Sequence, residues 1–262
     1  MIVDANVHAS LSGEWFGTGH DAGAERLLAA MDDAGIDRAV VTGLTDVAPT
    51  KAVVELCAGT DDRLLPVGAF DPGEQPSPDA VPAAARAELE GRGLVGVKLH
   101  PRLGRYDLLD ARVLALLDEL DSWDERLGVW ICTFLQVPGM RATAGPVEAL
   151  CEVVGRYPEL RFVLVHGGGP DLLRLATAVR GSRNALLDLS YTLTHLAGSS
   201  VGIDLAHLLT TFERRLVFGS DFPEGDIGQA RAALEGLATA AGPEALRRVL
   251  GGNMQEMLDG AR

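Results

Sequence analysis

The chain has 262 residues, 47% hydrophobic and 23% charged, a profile that excludes intrinsic disorder and suits a domain burying about three quarters of its unfolded surface. With 37 acidic against 23 basic residues the formal charge is −14. No Lys/Arg-rich run reverses it locally, so neither nucleic acid nor an anionic membrane surface is expected as a partner. Cys57, Cys132 and Cys151 are odd in number and widely spaced, which points to reduced thiols rather than a disulfide framework. The opening MIVDANVH enters a strand-like run with no basic leader or apolar signal core, and no stretch approaches 18 uninterrupted apolar residues. A cytoplasmic location is expected.

Short β-branched runs then alternate with longer amphipathic stretches. Strands are expected at 1–6, 38–43, 64–70, 94–100, 128–133, 160–166, 184–190 and 215–220. Helices are expected near 21–34, 49–58, 78–91, 109–125, 146–156, 170–181, 201–212 and 227–241, with a further one near 243–259. In the first helix Leu27, Leu28, Met31 and Ala34 recur at helical spacing, and Gly35 supplies the left-handed stop. Pro82 and Pro146 fall early in the third and fifth helices, where a missing N–H costs little. Residues 9–20, with Trp15 and Phe16, form the least regular stretch and are expected to loop over the mouth of the fold. Eight βα units, with no G-x-G-x-x-G after the first strand, predict an α/β fold of one domain over 1–262: a closed (β/α)8 TIM barrel with an additional C-terminal helix.

In such a barrel, function collects at the carboxyl ends of the strands. Strand one carries Asp4, Asn6 and His8, spaced by two so that they share a side. Strand four ends in Lys98 and His100, five in Cys132, six in His166, seven in Asp188 and Ser190, and eight in Asp221. His8 alone reads as an ordinary buried histidine; its coincidence with His166 and Asp221 suggests a site. Gly167, Gly168 and Gly169 read as a tight strand-to-helix turn rather than an anion cradle, since Pro170 follows them. Cys57 and Cys151 fall on expected helices and read as structural.

The segments VDANVH, GVKLHP, VLVHGGG and FGSDFP, in this order along the whole chain, resemble the amidohydrolase-related family of the amidohydrolase superfamily. The resemblance implies a hydrolase or a non-oxidative decarboxylase in which strand-one histidines, a strand-five His and a strand-eight Asp hold a divalent metal, usually zinc, and a His after strand six helps to activate water or orient substrate. His8, His166 and Asp221 match that pattern. Asn6 stands where the first strand-one His is expected, and Cys132 where the strand-five His is expected.

Two readings stay open on these residues. In one, His8, Cys132 and Asp221, with Asn6 as a further candidate, supply N, S and O ligands to one zinc ion. In the other, no cofactor is bound, and Asp221 and His166 act as a catalytic acid/base pair. In both, Lys98, His100, Arg102, Trp15 and His195 are candidate substrate-binding residues, with Arg105 adding to the local positive charge. Lys98 reads as an ion-pair partner for a carboxylate rather than a carbamylated metal bridge. Cys132 is equally a packing residue or a functional one.

The function expected is hydrolysis of an amide, ester or lactone bond in a small, carboxylated molecule. Asp221 is the general base, and His166 or a metal stabilises the developing oxyanion. Decarboxylation, a metal-free isomerase or cyclase, and a non-catalytic metabolite-binding descendant are the alternatives. A homodimer is the default assembly.

Overall fold

The computed structural model of the chain describes residues 1–260. Its strands are β1 (Val3–Val7), β2 (Arg38–Thr42), β3 (Leu64–Ala69), β4 (Gly96–Leu99), β5 (Gly128–Cys132), β6 (Arg161–Val165), β7 (Ala185–Asp188) and β8 (Leu216–Val217). They pair in parallel in the order β1 to β8. The helices are α1 (Ala24–Ala34), α2 (Thr50–Cys57), α3 (Val81–Leu89), α4 (Pro101–Gly104), α5 (Ala111–Asp121), α6 (Pro146–Arg156), α7 (Leu172–Ala178), α8 (Val201–Thr211), α9 (Ile227–Leu237), α10 (Pro243–Arg247) and α11 (Asn253–Asp259). This is the expected (β/α)8 TIM barrel. Among the described residues no helix is long and apolar enough to cross a membrane.

The last strand is short, and the barrel is closed by backbone beyond it. Ala5 N donates to Phe218 O at 2.8 Å, Asp221 N to Asn6 O at 3.0 Å and His8 N to Phe222 O at 2.7 Å. These bonds join the carboxyl half of β1 to the segment after β8.

Alternation along each strand separates two apolar layers. Val40, Leu65, Val67, Trp130, Val163, Val165 and Val217 fill the barrel interior with Val3 and Ala5, while Met254, Met257 and Leu258 of α11 close its amino-terminal end. Val41, Val97, Val129, Ile131, Phe162 and Leu164 face the surrounding helices. Trp130 dominates the interior: it is fully buried and its Nε1 donates to Ala5 O at 2.9 Å. Room for the indole comes from glycines at the strand starts, since a Cβ would come within 2.3 Å of it at Gly96 and 2.7 Å at Gly128.

Several sequence expectations need correction. The side-sharing run Asp4, Asn6, His8 is interrupted, because the pairing of β1 with β2 shifts register between Asp4 and Val7. Val3 and Ala5 therefore pack inside the barrel while Val7 and Ala9 pack outward. The helix expected over 78–91 begins as a separate 3-10 turn, Pro78–Ala80. That over 243–259 is broken by a π-turn at Arg248–Gly252, where Val249 O accepts from Phe218 N at 2.9 Å. Tertiary hydrogen bonding to the strand after Val217 outweighs helical periodicity there. Gly35 stops α1 as expected, with φ 64° and its N–H on Asp32 O.

Trp130→Ala, which empties the largest interior side chain and abandons the bond to Ala5, is expected to lower unfolding free energy by about 3–5 kcal/mol, measured by urea denaturation. A loss below about 1 kcal/mol would mean that the interior is not packed around this ring.

Candidate functional site

The polar strand ends assemble around Asn6, whose amide is fully committed. Its Oδ1 accepts from Thr42 Oγ1 at 3.0 Å and from Lys98 Nζ at 3.3 Å. Its Nδ2 donates to Asp221 Oδ1 at 2.9 Å and to Ser190 Oγ at 3.2 Å. Donors on one side and a carboxylate on the other fix which way the amide points.

The same bonds settle the histidine tautomers. His8 Nδ1 lies 2.8 Å from Thr42 O, which can only accept, so the proton is on Nδ1 and Nε2 is a bare acceptor 3.7 Å from Asp221 Oδ1. Ser190 Oγ gives its proton to Asp188 Oδ2 and therefore accepts from His166 Nδ1 at 3.0 Å, which leaves His166 Nε2 bare as well. Burial, reinforced by the Lys98 charge, pushes His8 down to about 4, His166 to about 3 and His100 to about 2, so all three are neutral near pH 7.

The carboxylates move the other way. Burial raises Asp4 to about 7 and Asp188 to about 6, and it raises Asp221 against the opposing pull of His8 and Lys98. Asp4 Oδ1 accepts from Ser220 N at 3.0 Å and from Asn6 N at 3.2 Å, while its Oδ2 is buried without a partner among the described residues. It orients the ends of β1 and β8. Burial lowers Lys98 and raises Cys132, whose thiol is thereby held protonated.

His166 and Asp221 occupy left-handed backbone, at φ 67° and 64°, a conformation that costs side-chain-bearing residues roughly 1–3 kcal/mol. Fixed partners hold them there. His166 N donates to Asp188 Oδ2 at 3.1 Å and its carbonyl accepts from Thr192 Oγ1 at 2.7 Å, while Asp221 N is on Asn6 O. Gly219 lets the last strand approach Asp188, because a Cβ there would lie 2.0 Å from Asp188 Oδ1.

Above this layer lies a cavity of about 320 Å³ whose lining includes His8, Trp15, His100, Arg102, Cys132 and His166, together with Asp221. Its size suits a small organic molecule. Trp15 is buried, stacks on His8 with centroids 4.9 Å apart and donates from Nε1 to Glu224 Oε1 at 3.1 Å. Phe134 stacks on His166 at 4.9 Å, forming the opposite aromatic wall. Lys98 lines a smaller recess alongside, with Asp71, His100 and Tyr106.

Of the residues singled out in the sequence, His195 is not brought to the cavity: it is exposed and stacks on Tyr191 at 4.2 Å, and Tyr191 takes the lining position. Arg105 lies outside the lining too. Sequence reasoning missed Thr42, Phe134, Tyr191 and Glu224. Thr42 was discoverable as the polar end of β2; the others sit in loops with no period to mark them.

As arranged, these donors do not fit a divalent metal. Among the described residues no group of three or more His, Cys, Asp or Glu side chains could hold one. Asn6 turns its amide nitrogen, not an oxygen, toward Asp221, and Lys98 Nζ already occupies this cluster on Asn6 Oδ1.

The profile of a family described as amidohydrolase matches residues 4–259. Among curated protein sequences nothing matches the chain. An uncharacterised TIM-barrel protein from Bordetella bronchiseptica is similar in structure, with a TM-score of 0.78, 20% identity and 99% of each chain covered. So is a probable 2-pyrone-4,6-dicarboxylic acid hydrolase from Acinetobacter baumannii with citric acid bound, at 0.72 and 15%, covering 98% of this chain and 99% of that one. A 5-carboxyvanillate decarboxylase from Novosphingobium aromaticivorans with bound manganese follows at 0.66 and 14%, covering 99% and 97%. At these identities the likeness shows the fold.

Protein purified without chelator is expected to carry well under one divalent ion per chain by mass spectrometry, before and after Cys132→Ser. One ion per chain, lost in Cys132→Ser, would instead establish the His8, Cys132, Asp221 centre.

Proposed function

Since the chain belongs to the amidohydrolase family, which its residues 4–259 match, we propose that it hydrolyses an amide, ester or lactone bond in a small substrate bearing a carboxylate. One observation carries the reading: two acceptors stand 3.7 Å apart on the cavity wall, His8 Nε2, which is bare, and Asp221 Oδ1, which takes one bond from Asn6 and keeps a second lone pair. A water donating to both would keep a lone pair turned toward the cavity, the geometry that general-base attack on a carbonyl requires.

In the proposed reaction the water oxygen bonds to the carbonyl carbon and its proton passes to Asp221. The carbonyl electron pair moves to oxygen, and the tetrahedral oxyanion then collapses with cleavage of the C–N or C–O bond. Asp221 returns its proton to the leaving group. His166, neutral and with Nε2 bare, is a poor oxyanion donor and serves as a second acceptor. The stabilising charge falls to Lys98, buried at the same network, while Arg102 in the cavity lining pairs with the substrate carboxylate. The aromatic walls made by Trp15 and Phe134 favour a flat or conjugated substrate body. The shared fold with a probable 2-pyrone-4,6-dicarboxylic acid hydrolase supports the lactone end of this class.

Decarboxylation is the second reading. It draws on the raised Asp221, which as an acid could protonate the carbon that loses CO2.

Asp221→Asn is expected to reduce kcat by at least ~10³-fold with little change in the thermal midpoint, assayed against carboxylated lactones, esters and amides; retained activity would remove Asp221 from the mechanism. For the wild type, Asp221 must be ionised to act as base, so kcat/KM should rise with pH through one ionisation above the usual carboxylate range. No step belonging to His166 is expected near 6.5, because burial places it at about 3. Activity that instead rises as pH falls, with release of CO2, would transfer the site to decarboxylation.

A further inference from the structure

Five arginines of this acidic chain are gathered at one end. Arg161 opens β6, Arg183 precedes β7, Arg214 and Arg215 precede β8, and Arg248 lies in the π-turn before α11. All five line a cavity of about 800 Å³ at the amino-terminal end of the barrel, away from Asp221 and His166, and Glu256 is the single acidic residue in that lining.

Their charge is poorly compensated. Arg161 donates to Met257 O and Arg126 O, each at 2.7 Å, and Arg215 to Ala185 O at 3.2 Å and to Ser182 O. These neutral carbonyls fix the side chains in place and leave the positive charge standing. Arg214 meets Glu213 only at 3.8 Å, and Arg183 has no hydrogen-bond or ion-pair partner among the described residues. Arg248 is the matched one, with Glu244 at 3.2 Å and Glu256 at 3.4 Å.

Burial, and then the neighbouring charges of Arg126 and Arg183 respectively, hold Arg161 and Arg215 below the usual arginine range. Asn253, also in the wall, donates from Nδ2 to Glu213 O at 2.6 Å and Leu216 O at 2.7 Å, while its Oδ1 is buried without a partner among the described residues. The cavity thus offers several cationic forks.

We propose that this cavity is a second, non-catalytic site for a small polyanion of the nucleoside di- or triphosphate class. Guanidinium forks match phosphate oxygens in pairs, and several forks around one cavity favour a ligand with more than one phosphate. The volume falls within the range that holds drug-sized molecules, well beyond a single phosphate. Such a site would report the level of a phosphorylated metabolite from the end of the barrel that performs no chemistry.

The test is isothermal titration calorimetry of the full chain with ATP, inorganic pyrophosphate and citrate. ATP is expected to bind one per chain, pyrophosphate more weakly at the same site, and both more weakly as salt is raised. Arg183→Glu/Arg214→Glu, which reverses two exposed side chains, should weaken ATP binding about 100-fold, roughly tenfold per charge-assisted contact. The milder Arg183→Gln/Arg214→Gln should weaken it in the same direction, which separates lost charge from lost fold. Arg102→Ala, which removes the cation of the upper cavity, should leave binding unchanged. Absence of saturable ATP and pyrophosphate binding, binding indifferent to the double reversal, loss in Arg102→Ala instead, or a preference for citrate would each overturn the proposal. Because only binding is read, the result stands apart from the hydrolytic assignment.

Discussion

Closure of the barrel between its first and last strands is the constraint on which the site depends. β8 is two residues long, so the seam is completed by the backbone of Ala5, Asn6 and His8 against Phe218, Asp221 and Phe222. The same segments carry the side chains that face the cavity. A bond that closes the barrel, Asp221 N to Asn6 O, therefore also holds the left-handed backbone of Asp221, and the side-chain bond from Asn6 to Asp221 runs parallel to it. Structural closure and site geometry share atoms, and neither can loosen without the other.

Burial does the rest of the electrostatic work. Removing His8, His166 and His100 from water keeps them neutral, and removing Asp4, Asp188 and Asp221 raises their affinity for protons. The layer is therefore a network of mostly neutral donors and acceptors around one buried lysine, in which Thr42 and Ser190 fix the histidine tautomers by occupying Nδ1. That is the condition for acid/base chemistry: bare ring nitrogens and a carboxylate that can take up or release a proton without large rearrangement. The two members of the family pattern that differ, Asn6 and Cys132, follow the same logic. A fully bonded amide and a protonated thiol belong to a site organised around hydrogen bonds.

Much of this was legible in the residues, because strands and helices write their burial as a period. The eight strands, the glycine stop after α1 and the polar strand ends His8, Lys98, Cys132, His166 and Asp221 all follow from that period. Other parts depend on neighbours far away in the chain. The shift of register in β1 answers to its pairing, and the break between α10 and α11 answers to Phe218 N on Val249 O. Glu224, Phe134 and Tyr191 reach the cavity from loops, where no alternation announces them. His195 was the lining residue expected after β7, and the π-helical turn there leaves it exposed while Tyr191 lines the cavity.

The residues by themselves determined the architecture, the order of the strand ends and the chemical types offered at the mouth, since hydrophobic periodicity and short-range turn chemistry are local properties. Tertiary structure decided which groups touch, which protons sit where and how charge is distributed. The total of −14 and the absence of any basic run gave no sign of a basic patch at the amino-terminal end of the barrel. Yet Arg161, Arg183, Arg214, Arg215 and Arg248, spread over nearly ninety residues, meet at one end because parallel strands bring their starts together. Electric potential depends on distance in space and composition does not record it.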